Sequence, residues 1–157
     1  MKKTIFIHGI LAGLATIAYA FLIYSIQKAG FFSMWFYVSS LLIYALGMYL
    51  AAKQAVSADF KTVLRAAFSV FLIANVLYYI FDFALFNYID KSLATMQADA
   101  AIAYLKPNTL LEEQMKMEEN IRSSDIHNVA SLFKQYLKSA IGGFILSLLV
   151  AYLIKRK

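Results

Sequence analysis

The sequence predicts an all-α polytopic membrane protein, with four transmembrane helices and a helical extramembrane segment between the third and the fourth. Three observations carry this. Of the 157 residues, 62% are hydrophobic and only 15% charged, which exceeds the roughly 45–50% apolar content of soluble domains. Charge-free runs of spanning length recur along the chain. The net charge is +6, yet most Lys and Arg flank apolar runs, as topology signals do, and no basic face suited to nucleic acid is formed. The expected partners are therefore the lipid bilayer and, within it, a membrane-protein partner or further copies of the chain, but not nucleic acid. Four spans and their connections use most of the chain as a single membrane domain over residues 1–157. The absence of cysteine excludes disulfides, thiolate chemistry and Cys-ligated metal.

The first span is Ile5 to Ile26, a run without formal charge that reaches about 33 Å as a helix, enough for a hydrocarbon core of about 30 Å. MKK, an apolar stretch and Ala18-Tyr19-Ala20 also have the shape of a secretory signal with a small-residue cleavage site. Apolar sequence running on to Ile26 favours a retained span. The second span, Phe31 to Ala52, follows after only Gln27, Lys28, Ala29 and Gly30, so the two should form a tight antiparallel hairpin. The third, Val63 to Phe86, carries Arg65 in its first turn, where a long side chain can snorkel to headgroups. The fourth is shorter in its apolar part, Ala140 to Ile154, and is extended back to Leu132 so that it can cross, with Lys134 and Lys138 at the outer interface.

Lys2, Lys3, Lys53, Lys61, Arg65, Lys155, Arg156 and Lys157 fall at one side of this zigzag, where Asp59 is the only acid. The positive-inside rule then puts both termini in the cytoplasm, as for a multi-pass protein of a bacterial inner membrane. The other side receives residues 87–131, which hold seven of the nine acids. That segment lacks the proline, glycine and serine bias of a linker and should be helical. Ile89, Leu93, Met96, Ala100 and Ala103 recur at helical spacing, which predicts that the third helix continues to about Leu105. Pro107, the only proline, breaks it, and Thr109 with Glu112 forms a T-x-x-E capping box for a helix through about Arg122. A third start is expected at Ser124 or Asp125. The apolar side of this outer hairpin, Leu111 and Met115, is expected to pack on its partner helix, with a docking surface as the alternative.

Asp82 is the residue that asks for a function, because an ionisable side chain within a membrane segment costs free energy unless it is paired or used. Counted from Val63 it lies about 28 Å along the helix, near the outer boundary. There it is expected to reach headgroups or pair with Lys138 or Lys28, with an ion or proton site as the alternative. Asn75 lies about 18 Å in, near the bilayer centre. With Tyr78 it completes a candidate polar stripe, Asn75, Tyr78 and Asp82, on one helical face. Such a stripe serves either interhelical hydrogen bonding or a transport path. Gly9 and Gly13 form a literal G-x-x-x-G, and Ser139, Gly143, Ser147 and Ala151 repeat at intervals of four, a candidate helix-contact face along which another backbone can approach closely.

No catalytic residue, metal ligand or cofactor is predicted. His8 and His127 are expected on opposite sides of the membrane, and neither sits in metal-binding spacing. No G-x-S-x-G or S-x-x-K surrounds a serine. Glu112, Glu113, Glu118 and Glu119 lie among Lys116 and Arg122, where helical ion pairs account for them. The leading expectation is a non-enzymatic accessory or assembly partner, and the alternative is a small oligomeric transporter or channel lined by Asn75, Tyr78 and Asp82. An intramembrane enzyme is a third, less favoured class.

Four segments together resemble a known family: KTIFIHGILAGL at the start, ADFKTVLRAAF entering the third span, NTLLEEQM in the outer loop, and the closing GGFILSLLVAYLIKRK. The layout is similar to that of the small four-span bacterial membrane proteins catalogued as domain of unknown function 4199. The resemblance implies a multi-pass inner-membrane protein and carries over no activity, ligand or catalytic residue.

Overall fold

Every charge-free run forms a helix in the computed structural model, which describes residues 2–103, 111–123 and 127–156. Helix α1 spans Lys2–Ile26, α2 Met34–Lys53, α3 Phe60–Ala84, α4 Ser92–Ala103, α5 Leu111–Ser123 and α6 Val129–Lys155. No strand occurs among the described residues. Four of these helices, α1, α2, α3 (with its continuation to Ile89) and α6, are long and apolar enough to cross a membrane. Large apolar side chains such as Leu11, Leu42, Ile141 and Leu153 stand exposed around them, as expected of a surface solvated by lipid.

The packing is a rhombus. Helix α3 packs against α1, α2 and α6, and α2 touches both α1 and α6, whereas α1 and α6 do not meet among the described residues. Small residues allow close approach around α3: Ala51 and Ala52 of α2 and Ala66, Ala67 and Ala74 of α3 are all almost fully buried. A first core cluster groups Val63, Val70 and Phe71 of α3 with Tyr44 and Met48 of α2 and Val150, Ala151 and Ile154 of α6. A second, at the far end from the termini, joins Ala20, Phe31, Phe36, Leu85, Phe86 and Leu93.

The turns explain where helices stop. Between α1 and α2, Lys28–Phe32 form a 3-10 turn, so Phe31 and Phe32, expected in the second span, belong to the connection instead. Ser33 closes it, donating to the Gly30 carbonyl at 2.6 Å and accepting from the Phe36 N–H at 3.3 Å as the N-cap of α2. Phe31 turns inward onto Phe36, with ring centroids 4.8 Å apart. At the terminal end, Lys155 Nζ donates to the Val56 and Ala58 carbonyls at 3.1 and 2.9 Å, fastening α6 to the α2–α3 turn.

The third helix does not run on to Leu105. It passes through a π-helical turn at Leu85–Ile89 and ends at Asp90. The Asp90 carboxylate accepts from the Ser92 N–H at 3.1 Å and the Ser92 hydroxyl at 2.6 Å, which starts α4. It also pairs with Lys28 and accepts from the Tyr24 hydroxyl at 3.0 Å. These bonds satisfy the carboxylate and open a helix end there, which a continuous helix would forgo. Thr109 and the expected starts at Ser124 and Asp125 lie outside the described residues. Helix α6 is capped by Asn128, whose side-chain oxygen accepts from the Ser131 N–H at 2.8 Å. Met115 is exposed rather than packed, and α5 is tied to α4 by an exposed Arg122–Asp99 ion pair at 3.0 Å; the side chain of Leu111 lies outside what is described.

Candidate functional site

The three residues of the polar stripe share a face of α3 but have different surroundings. Asn75 turns toward α6, where its amide donates to the Ser139 hydroxyl at 2.6 Å, and Ser139 in turn donates to the Tyr136 carbonyl at 2.8 Å. The stripe and the small-residue face of the last span therefore meet. Tyr78 is half-buried and bonds to neither of its neighbours on the stripe.

Asp82 is where the structure departs most from expectation. Its side chain is only 9% exposed, and it pairs with neither Lys138 nor Lys28. Lys28 is taken by the nearer Asp90, and the segment preceding α6 folds back over the end of α3. His127 Nδ1 donates to Asp82 Oδ2 at 3.1 Å, while Nε2 stands 2.6 Å from Gln97 Oε1 of α4. The imidazole lies flat on the Phe86 ring, with centroids 3.5 Å apart and planes 10° from parallel. Asn87, set by the π-helical turn, donates to the Phe83 and His127 carbonyls at 3.0 and 3.1 Å. Both ring nitrogens thus face oxygen atoms. A doubly protonated ring satisfies both, and with the Gln97 amide turned over a singly protonated ring does so as well. The cluster joins α3, α4 and the entry to α6. Beside it a hollow of about 370 Å³ opens between α4 and α5, with Gln97, Ile121, Arg122 and His127 in its wall.

A second cavity, of about 290 Å³, lies deeper in the bundle. Thr16 of α1, Ser40 and Tyr44 of α2, Asn75 and Tyr78 of α3 and Ser139 of α6 supply its polar lining, and among the described residues no formally charged side chain lines it. The Tyr44 side chain is buried and comes near Thr16, whose hydroxyl donates to the Ala12 carbonyl at 2.9 Å; the Tyr44 hydroxyl makes no hydrogen bond of normal geometry.

The small-residue faces are spent inside the chain. A Cβ at Gly9 would fall 2.8 Å from the Ile73 side chain, and one at Gly13 would fall 3.1 Å from the Ala74 Cα. At Gly143 it would overlap the Phe71 ring. Ser147 donates to the Gly143 carbonyl at 2.6 Å and touches Met48 Sδ, and Ala151 is fully buried. All of these positions face α2 or α3 of the same chain.

Over residues 7–156 the sequence matches the family described as protein of unknown function (DUF4199). The chain belongs to that family. No curated protein and no solved structure matches this DUF4199 chain significantly.

Two parts of the DUF4199 site escaped sequence reasoning. His127 and Gln97 lie 45 and 30 positions away from their partners, so no local spacing connects them. The lining role of Thr16, Ser40 and Tyr44 had no signal beyond one hydroxyl in the first apolar span and two in the second.

Proposed function

We propose that this DUF4199 protein is a non-enzymatic accessory or assembly partner in a bacterial cytoplasmic membrane, with both termini cytoplasmic and the α4–α5 module on the opposite side. The observation that carries this is how the stripe is used. Asn75 is bonded to Ser139 and Asp82 to His127, and the cavity along Asn75 and the hollow beside His127 have no lining residue in common. Polar groups spent on holding helices together support a scaffold over a conduit. The Asp82 cluster fixes α4 and the entry to α6 on the bundle, giving the charged face of α5, with exposed Met115 and Met117, a firm base for recognising another protein. The Lys and Arg bias at the terminal end supports the orientation.

Native mass spectrometry of the protein extracted from its own membranes in mild detergent tests this. A discrete complex with a different membrane protein is the expected result. A defined homo-oligomer whose ion flux in proteoliposomes is lost in Asp82→Asn would overturn it in favour of a transporter.

A further inference from the structure

The deeper cavity has features that the accessory role does not use. Its polar lining comes from all four spanning helices, and among the described residues no formally charged side chain lines it. Tyr44, 5% exposed, is among its lining residues, and its buried hydroxyl lacks a hydrogen bond of normal geometry. A buried hydroxyl left in this state costs free energy in a medium that offers no water, so an acceptor brought to it would be held. Phe36, Tyr37, Phe71 and Tyr79 add aromatic walls. The mouth is also defined. On α2 the lining residues Tyr37 and Leu41 are about half exposed, and on α6 the lining residue Gly142 is exposed, with nothing within 4 Å of where a Cβ would lie. The cavity therefore opens sideways between α2 and α6 onto the surface that lipid covers.

We infer that this cavity is a binding site for the uncharged, carbonyl-bearing head group of a membrane lipid, whose tail leaves between α2 and α6. A volume of about 290 Å³ lies at the small end of ligand pockets and suits a head group rather than a whole lipid. The absence of charge in the lining disfavours a phosphate, which would need a cation or several N–H donors. Tyr44 donates to the carbonyl, and the aromatic walls take a flat ring or an ester plane. The shared chemistry, a carbonyl acceptor on a neutral lipid, is found in both benzoquinones and diacylglycerols.

The test uses the full chain in phosphatidylcholine nanodiscs with two probes, decyl-benzoquinone and dioctanoylglycerol, and reads bound probe by native mass spectrometry. Tyr44→Phe removes one hydroxyl and keeps the ring. Gly142→Leu blocks the mouth from a position where side-chain atoms meet open space. Saturable binding of either probe, weakened about tenfold by Tyr44→Phe and lost in Gly142→Leu, is the expected result, and the probe that binds identifies the source. Binding of neither probe, or binding indifferent to both substitutions, overturns the inference. Unchanged melting of both variants without probe shows that any loss comes from the cavity rather than from the fold.

Discussion

His127 Nδ1 and Asp82 Oδ2 stand 3.1 Å apart, each on a side chain less than 10% exposed, although 45 positions separate them in the chain. The pair is the bolt between the last turns of α3 and the segment that enters α6. Removing one partner leaves the other buried without its mate, a change that costs about 3–5 kcal/mol in comparable pairs. His127→Ala is therefore expected to lower the melting temperature in mild detergent sharply. The double variant Asp82→Leu with His127→Leu should lose less than the sum of the single changes. Strict additivity would show that the two side chains do not act as a pair.

Asp90 gives a pH dependence with a definite sign. Its hydrogen bond to Lys28, then that to Ser92, holds its carboxyl below the usual carboxylate range, and the same bond raises the Lys28 ammonium above its ordinary value. A depressed carboxyl contributes stability that is full above the unfolded value of about 3.9 and is lost as pH falls through the folded value. A raised ammonium contributes stability that is full below about 10.4 and is lost as pH rises beyond the folded value. The clip should thus be constant from roughly pH 5 to 9 and weaken on either side. Melting profiles of Asp90→Asn should show a smaller acid-side loss than the parent; parallel profiles would remove the clip from the account.

Glycine substitutions separate the crowded positions from the open one. Gly13→Ala forces a methyl against the Ala74 backbone and should cost about 1–3 kcal/mol. Gly142→Ala meets nothing and should gain up to about 1 kcal/mol from helix propensity. Chemical denaturation in a fixed detergent compares them, and equal effects would contradict the packing of α1 on α3.

Topology is open to a direct assay because the sequence has no cysteine. A single cysteine at Ser123, exposed at the end of α5, should react with an impermeant maleimide in spheroplasts, and one at Ser57, exposed in the α2–α3 turn, should not. The reverse pattern would invert the proposed orientation. Intact mass should show the first helix retained, since Gly9 and Gly13 fit against Ile73 and Ala74. A mature N-terminus at Phe21 would instead mark a cleaved signal.

The spans were legible because long apolar runs with few or no charges leave few physical alternatives. The Gly9–Gly13 face was legible for a related reason, since small residues at intervals of four permit one kind of contact. The end of α3 was not. Ile89, Leu93 and Met96 keep helical spacing across Asp90, and periodicity cannot register a carboxylate that finds Ser92 nearby and Lys28 62 positions away. Asp82 was readable as an anomaly, but its partner was not, because the pairing exists only after the chain folds back.

The rhombus also bears on how the chain is made. Because α1 touches α2 and α3 but, among the described residues, not α6, the first three helices close a triangle whose internal contacts are complete before the ribosome has synthesised the last one. Helix α6 then arrives at a finished edge and adds Ser139, Phe144 and Lys155 to sites already waiting at Asn75, Phe68 and the Val56 turn. Biogenesis would thus proceed by docking onto a template rather than by simultaneous collapse. A nascent chain arrested after residue 103 should already form a disulfide between cysteines placed on the facing sides of α1 and α3.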